Sequence, residues 1–367
     1  MSKNWPYKNK RKWEPKIGPF KKFAYRKINH HIKFADTESE PEPIVINKEP
    51  ETIIVINKDI KCLQDLIDLG NTYVEASETK YNIDLKTLNK LVNPLTDLNL
   101  MIGMHSIKQD IIDHILFKIQ NLDDYHQDMM HTVIQGPPGA GKTEVAKIIG
   151  KIYLAMDILK NDIFIKASRS ELIGDYLGQT SIKTQKMIDK AIGGVLFIDE
   201  VYSLGNPEKR DIYAKECIDC INENLTTKKS EFICIIAGYK KEIETCFFSF
   251  NPGLERRFPI CFTIEEYKAD DLFLIFKKKV KEINWTLNAD ITEAFFTENY
   301  ESFKYFGGDI EILLSRCKRS HSRRIFTLSL QVVKKELNLV DLKSGFETFK
   351  LHRNENAKDE HWKNMYM

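Results

Sequence analysis

The chain has 367 residues, 42% of them apolar and 29% charged, with 55 basic against 53 acidic side chains. This is a globular composition with length for two or three domains, which excludes collagen-like, fibrous and wholly disordered chains. No apolar run approaches the roughly 20 residues that span a bilayer, and the basic N-terminus lacks the apolar core of a secretion signal, so an intracellular, cytoplasmic protein without membrane contact is expected.

Residues 1–43 read as a disordered arm, because charges, prolines and aromatics follow no sustained period. Residues 1–33 hold eleven Lys/Arg and one acid, Glu14, with Trp5, Tyr7, Trp13, Phe20, Phe23 and Tyr25 interleaved. Residues 36–51 reverse the sign, with six acids against Lys48 alone. A basic aromatic arm can bind phosphate backbones and stack bases, but a solvated basic tail or nuclear-targeting segment is the more ordinary reading.

Residues 44–96 read as a short N-terminal segment. "IVINK" occurs at 44–48 and again at 54–58, which suggests two short strands in a weak hairpin. Helices are expected at "CLQDLIDL" (62–69) and at "LKTLNKLV" (85–92), the second ending before Pro94.

Across 97–266 the pattern alternates between helix and strand. Ile111, Ile115 and Ile119 mark one helix face, and Val145, Ile148, Ile149, Ile152 and Tyr153 another. "HTVIQ" (131–135), "DIFIKA" (162–167), "VLFID" (195–199), "FICIIA" (232–237) and "ICFTI" (260–264) read as strands. Helical stretches separate most of them, so a parallel α/β sheet with helices on both faces is the economical fold. Residues 267–353 then read as a small all-helical domain, and 354–367 as a tail.

The seven cysteines are scattered and odd in number, as expected of reduced thiols. Cys217 and Cys220 form a CxxC on a helical stretch with no second pair at zinc spacing, so neither a metal nor a redox role is expected.

"GPPGAGKT" (136–143) lies between a strand and a helix and fits the phosphate-loop pattern G-x-x-x-x-G-K-[ST]. Gly136, Gly139 and Gly141, with Pro137, Pro138 and Ala140 between them, let backbone N–H groups turn toward a phosphate chain. The helix beginning near Thr143 presents its positive end to the same anion. Lys142 reaches the β- and γ-phosphates and the Thr143 hydroxyl ligates Mg²⁺. "GGVLFIDE" (193–200) supplies a buried strand with two acids at its carboxyl end. Asp199 is expected to hold Mg²⁺, mostly through water, and Glu200 to polarise the attacking water as general base. ATP and Mg²⁺ are therefore the expected cofactors.

With these motifs the chain resembles an AAA+ ATPase, and more narrowly the CbbX/CfxQ type that includes the red-type rubisco activases. The resemblance runs from about Leu98 to Ser322, and less closely to Arg353. It is carried by "GPPGAGKTEVAKIIGKIY", "YLGQTSIKT", "AIGGVLFIDEVYSL", "IIAGYK" and "NPGLERRF". Similar chains occur in giant DNA viruses. The resemblance implies a P-loop α/β domain followed by a helical lid, in a homo-oligomeric, hexameric ring with ATP at subunit interfaces. It implies that Ile102 and Gly103 line the adenine pocket and that Tyr239 stands at a sensor position. It also implies that Arg257 is the arginine finger reaching the neighbour's γ-phosphate, with the adjacent Arg256 as the alternative. One departure stands out: "GGDI" (307–310) places Ile310 where the subgroup carries a sensor arginine.

The family places "DYLGQT" on a loop facing the central pore. Glycines let such a loop travel, and an aromatic ring grips an extended chain by its face. Tyr176 and Leu177 are thus expected to grip substrate, against the alternative of an ordinary core or surface tyrosine. The function expected is an ATP-driven ring that remodels or threads a protein client, whose identity the sequence does not encode. The alternative is a nucleic-acid motor or loader that uses residues 1–33.

Overall fold

The computed structural model describes residues 53–75, 80–122, 129–176, 178–205, 208, 210–326 and 335–365, with side chains as far as 353. The basic arm at 1–33, the first "IVINK" copy and Leu177 lie outside the described residues.

The N-terminal segment contains β1 (Ile53–Ile54), α1 (Leu63–Asn71), β2 (Lys80–Tyr81) and α2 (Leu85–Asn99). Only Ile54 of the second "IVINK" copy is in a strand, and β1 pairs in parallel with β2. Helix α2 does not stop at Pro94 but runs through it. A proline inside a helix costs about 3 kcal/mol. Leu85, Leu88, Leu91, Leu95 and Leu98 are all buried along α2, and full burial of each stabilises by about 1.5–3 kcal/mol, so packing wins.

Helix α3 (His105–Ile119) leads into the nucleotide-binding body. Its elements are β3 (Thr132–Gln135), α4 (Lys142–Ala155), β4 (Phe164–Ala167), α5 (Arg169–Leu172), α6 (Gln179–Lys190), β5 (Val195–Ile198), α7 (Ile212–Thr227), β6 (Ile233–Gly238), α8 (Lys240–Cys246) and β7 (Ile260–Thr263). The five longer strands form one sheet in the order β4-β5-β6-β3-β7. Every pairing is parallel.

The period of two sorts the strand residues onto two faces. Val195, Phe197, Ile233 and Ile235 pack into the core shared with α2, α3 and α4. Leu196, Ile198, Cys234 and Ile236 pack into the core shared with α6 and α7. With both faces covered, the strands read as continuous apolar runs, which is how they announced themselves.

The lid comprises α9 (Ala269–Glu282), β8 (Thr286–Leu287), α10 (Glu293–Glu298), α11 (Phe306–Ile325), β9 (Glu336–Leu337) and α12 (Leu339–Met365). Among its described residues it is helical apart from one parallel pair, β8 with β9, two residues each and too brief to carry an alternating pattern. Phe295, Phe296, Phe303, Phe346 and Phe349 fill its centre, with Phe295 and Phe346 edge to face at 5.2 Å. Helix α12 runs on past residue 353.

Candidate functional site

The phosphate loop leaves the carboxyl end of β3, between β6 and β7, and closes into α4 at Gly141. This is the sheet edge at which parallel α/β folds bind ligands. Gly139 and Gly141 adopt φ of +69° and +85°, a region that side chains disfavour. The lid seals the loop from the other side. The Tyr267 hydroxyl donates to the Ala140 carbonyl at 3.1 Å, and the Tyr300 hydroxyl donates to the Tyr267 carbonyl at 2.6 Å. Pro137 and Pro138 are half-buried and Ala140 fully buried.

The Lys142 ammonium donates to the carbonyls of Gly136 (3.0 Å) and Pro137 (2.7 Å) and lies 4.9 Å above the Tyr239 ring. Burial pulls Lys142 below the ordinary lysine value, and the Asp199 and Glu200 carboxylates oppose that shift. Asp199 and Glu200 follow β5 directly, and the sheet brings Asp199 against the start of α4. The Thr143 hydroxyl donates to Asp199 Oδ2 at 3.0 Å, and the same oxygen takes the Lys166 ammonium at 2.8 Å. Asp199 Oδ1 accepts the Glu200 N–H at 3.1 Å. Thr143 and Asp199 thus offer two hard oxygens side by side, a donor set that fits Mg²⁺ held partly through water.

Glu200 is exposed and sits at φ +49°, in the left-handed region. A non-glycine residue held there stores of order 1–3 kcal/mol of strain, which concentrates at functional positions. Beside it, Tyr202 stacks on Tyr239 with centroids 5.3 Å apart. Burial, then Tyr239 and Glu200, push the Tyr202 hydroxyl well above the usual phenol value.

On the far side of the loop a cavity of about 700 Å³ is lined by Met101, Ile102, Gly139, Gly141, Tyr267 and Gly308, among others. Gly103, at φ +64°, turns the chain into it beside Tyr267 and Asp271. Ile102, one of the two expected adenine residues, and the phosphate loop therefore share one cavity edge. Ile310 is fully buried in the lid core. Arg316 lines a separate cavity with Asp309 and Arg353.

Arg257 lies in a tight turn, Glu255–Arg257, before β7. Its Nε donates to Thr226 Oγ1 at 2.7 Å and its Nη1 to the Gly253 carbonyl at 2.6 Å. Arg256 beside it is exposed. Tyr176 is 70% exposed, between Gly174 and Gly178, and Gly178 caps α6 at φ +80°. Cys217 and Cys220 face α6 from α7, and burial pushes their thiols up to about 12 and about 11.

Three contributors escaped the sequence reading: Lys166, Tyr202 and Tyr267. Tyr202 had a usable signal, two residues beyond Glu200, but its partner arrives from β6. Among the described residues, no helix is long and apolar enough to cross a membrane.

Residues 132–265 match the family model of the ATPase family associated with various cellular activities (AAA). A cfxQ-like protein of Acanthamoeba polyphaga mimivirus is 43% identical over 302 residues, which cover 81% of this chain and 74% of that protein. The CfxQ homolog of Pyropia yezoensis is 31% identical over 284 residues, covering 74% and 92%. Stage V sporulation protein K of Bacillus subtilis is 35% identical over 223 residues, covering 59% and 66%. The phosphate loop, the acidic pair after β5 and these relatives agree: the chain belongs to the AAA ATPase family, in its CbbX/CfxQ-type group, and is an ATP hydrolase that uses ATP and Mg²⁺.

Proposed function

We propose that this ATPase works as a ring, with ATP between subunits, and uses the cycle to pull on an extended segment of a protein client. The observation that supports it most is Tyr176. A large aromatic ring, 70% exposed, stands on a glycine-flanked loop that shares a cavity edge with the catalytic pair. That cavity, about 740 Å³, is lined by Gly174 and Asp175 of the loop and by Asp199 and Glu200. A change at the γ-phosphate is thus one loop away from the gripping residue. An exposed ring holds a chain through its face without reading its sequence, which suits threading.

Within this reading Gly136 to Thr143 cradle the phosphates, and Lys142 neutralises the β- and γ-phosphates. Thr143 and Asp199 hold the metal, and Glu200 orients water as the base. Ile102 and Gly103 face the adenine. Tyr239 sets the position of Lys142, whose ammonium it faces. Arg257 acts in trans on the neighbour's nucleotide once its own-chain bonds to Thr226 and Gly253 are released. Leu177, next to Tyr176, shares the grip.

The test is Tyr176→Ala. Basal ATP turnover should stay near wild type while client remodelling and client stimulation of turnover vanish. Undiminished remodelling by this variant would overturn the reading.

A further inference from the structure

Lys166 has no part in the nucleotide chemistry above, yet it occupies the metal side of the site. Strand β4 pairs with β5 so that Lys166 lies opposite Phe197, two residues before Asp199. Its ammonium lies over the Phe197 ring, 5.9 Å from the centroid, and ends 2.8 Å from Asp199 Oδ2. That oxygen also takes the Thr143 hydroxyl, and the other carboxylate oxygen is held by the Glu200 N–H. Both oxygens of Asp199 are therefore engaged, and Oδ2 is shared between the Thr143 hydroxyl and the Lys166 ammonium.

A divalent cation held by Thr143 and by Asp199 through water needs that same oxygen. An ammonium in hydrogen-bond contact with Asp199 Oδ2 repels it and blocks the water. A half-exposed pair of this kind adds little to folding. Its position is the informative feature.

We infer that Lys166 is a metal-gating positioning residue: it caps Asp199 until Mg²⁺ arrives with nucleotide, and Mg²⁺ is held only as Lys166 withdraws. This rests on the reading that Thr143 and Asp199 hold the metal. The cavity that Lys166 shares with Asp199 also contains Glu200 and Asp175, which give the displaced ammonium acidic partners. Asp175 precedes Tyr176, so metal binding moves a cation toward the gripping loop.

The experiment is a Mg²⁺ titration of binding of a fluorescent non-hydrolysable ATP analogue to the full chain. It compares wild type with Lys166→Met, Lys166→Gln, Lys166→Arg and Asp199→Asn, alongside binding in EDTA and thermal melting. The two neutral variants should reach half-saturation at about three- to fivefold lower Mg²⁺, from the loss of one partly screened charge. Their metal-free nucleotide affinity should be equal to wild type or weaker, and Lys166→Arg should keep the wild-type Mg²⁺ dependence. A neutral variant that needs as much Mg²⁺ as wild type, or more, overturns the proposal. Loss of folding in both neutral variants overturns it too, by showing a structural pair. If Asp199→Asn leaves the Mg²⁺ dependence unchanged, the metal-site reading itself fails, which is a separate result.

Discussion

A Cβ on Gly139 would lie 2.1 Å from the Tyr305 carbonyl oxygen. The phosphate loop and the turn that opens lid helix α11 therefore touch at a distance only glycine allows, and lid position and loop shape become one variable. This backbone contact ties the lid to the phosphate loop without an arginine at residue 310.

Gly139→Ala should accordingly lower nucleotide affinity at least tenfold and reduce the melting temperature, because it combines a backbone clash with a left-handed φ. Gly308→Ala is the control. Its Cβ would meet nothing within 4 Å, and it lies inside α11. Alanine there should leave stability equal or raise it by roughly 0.5–1 kcal/mol. Calorimetric melting with and without nucleotide reads both.

Lys142→Ala should abolish ATP binding, since it removes the cation opposite the β- and γ-phosphates. Glu200→Gln should bind ATP and barely hydrolyse it, because the amide cannot take a proton from water. Nucleotide binding by filter or fluorescence assay, beside phosphate release, separates the two. Equal ATP affinity for wild type and Lys142→Ala would remove the phosphate-loop assignment.

Arg257→Ala should keep nucleotide affinity and lose hydrolysis by on the order of a thousandfold in the assembled state. Its effect crosses an interface, so mixing it with a Glu200→Gln subunit should restore part of the turnover. The mixture contains interfaces with one intact site and one intact finger. If Arg257→Ala hydrolyses normally and Arg256→Ala does not, the exposed neighbour is the finger, and the bonds of Arg257 to Thr226 and Gly253 are structural.

The lid has its own acid-sensitive clasp. Asp341, buried, accepts His321 Nδ1 at 3.0 Å and Arg324 Nε at 2.8 Å. Burial alone would raise its pKa, but Arg324, His321 and the Asn338 N–H overcome it and hold the carboxyl below its usual value. A depressed carboxylate contributes stability above its unfolded pKa and loses it as pH falls through the folded value. The clasp is therefore intact at neutral pH and fails only in strong acid. Asp341→Asn should cost about 1–3 kcal/mol, since the amide replaces the carboxylate that the partly buried Arg324 guanidinium bonds. Its melting temperature should fall at pH 7 and converge with wild type in acid.

The sheet and the phosphate site were legible because their signals are local. Five apolar runs gave five strands, and Lys142, Thr143, Asp199 and Glu200 sit in motifs whose spacing carries their chemistry. What stayed hidden depends on contacts between distant segments. Lys166 looks like any strand lysine until β4 pairs with β5, and Tyr202 until β6 brings Tyr239. Pro94 misled because its cost is local and visible, while the five buried leucines of α2 act only after packing. Arg257 was legible as a residue, but its bonds to Thr226 and Gly253 were not.

Tyr176→Ala should melt within about 0.5 kcal/mol of wild type, because the ring is 70% exposed and outside the core. Tyr176→Phe should keep most client-dependent activity, because the grip uses the ring face.

The most direct measurement replaces Tyr176 with a photo-crosslinking phenylalanine analogue in the Glu200→Gln protein. The trapped protein is then offered a panel of unfolded polypeptides and single-stranded nucleic acids with ATP or ADP. Threading predicts crosslinks from position 176 to polypeptide that form with ATP and fade with ADP. Crosslinks to nucleic acid alone, or yields that ignore the nucleotide, would contradict it.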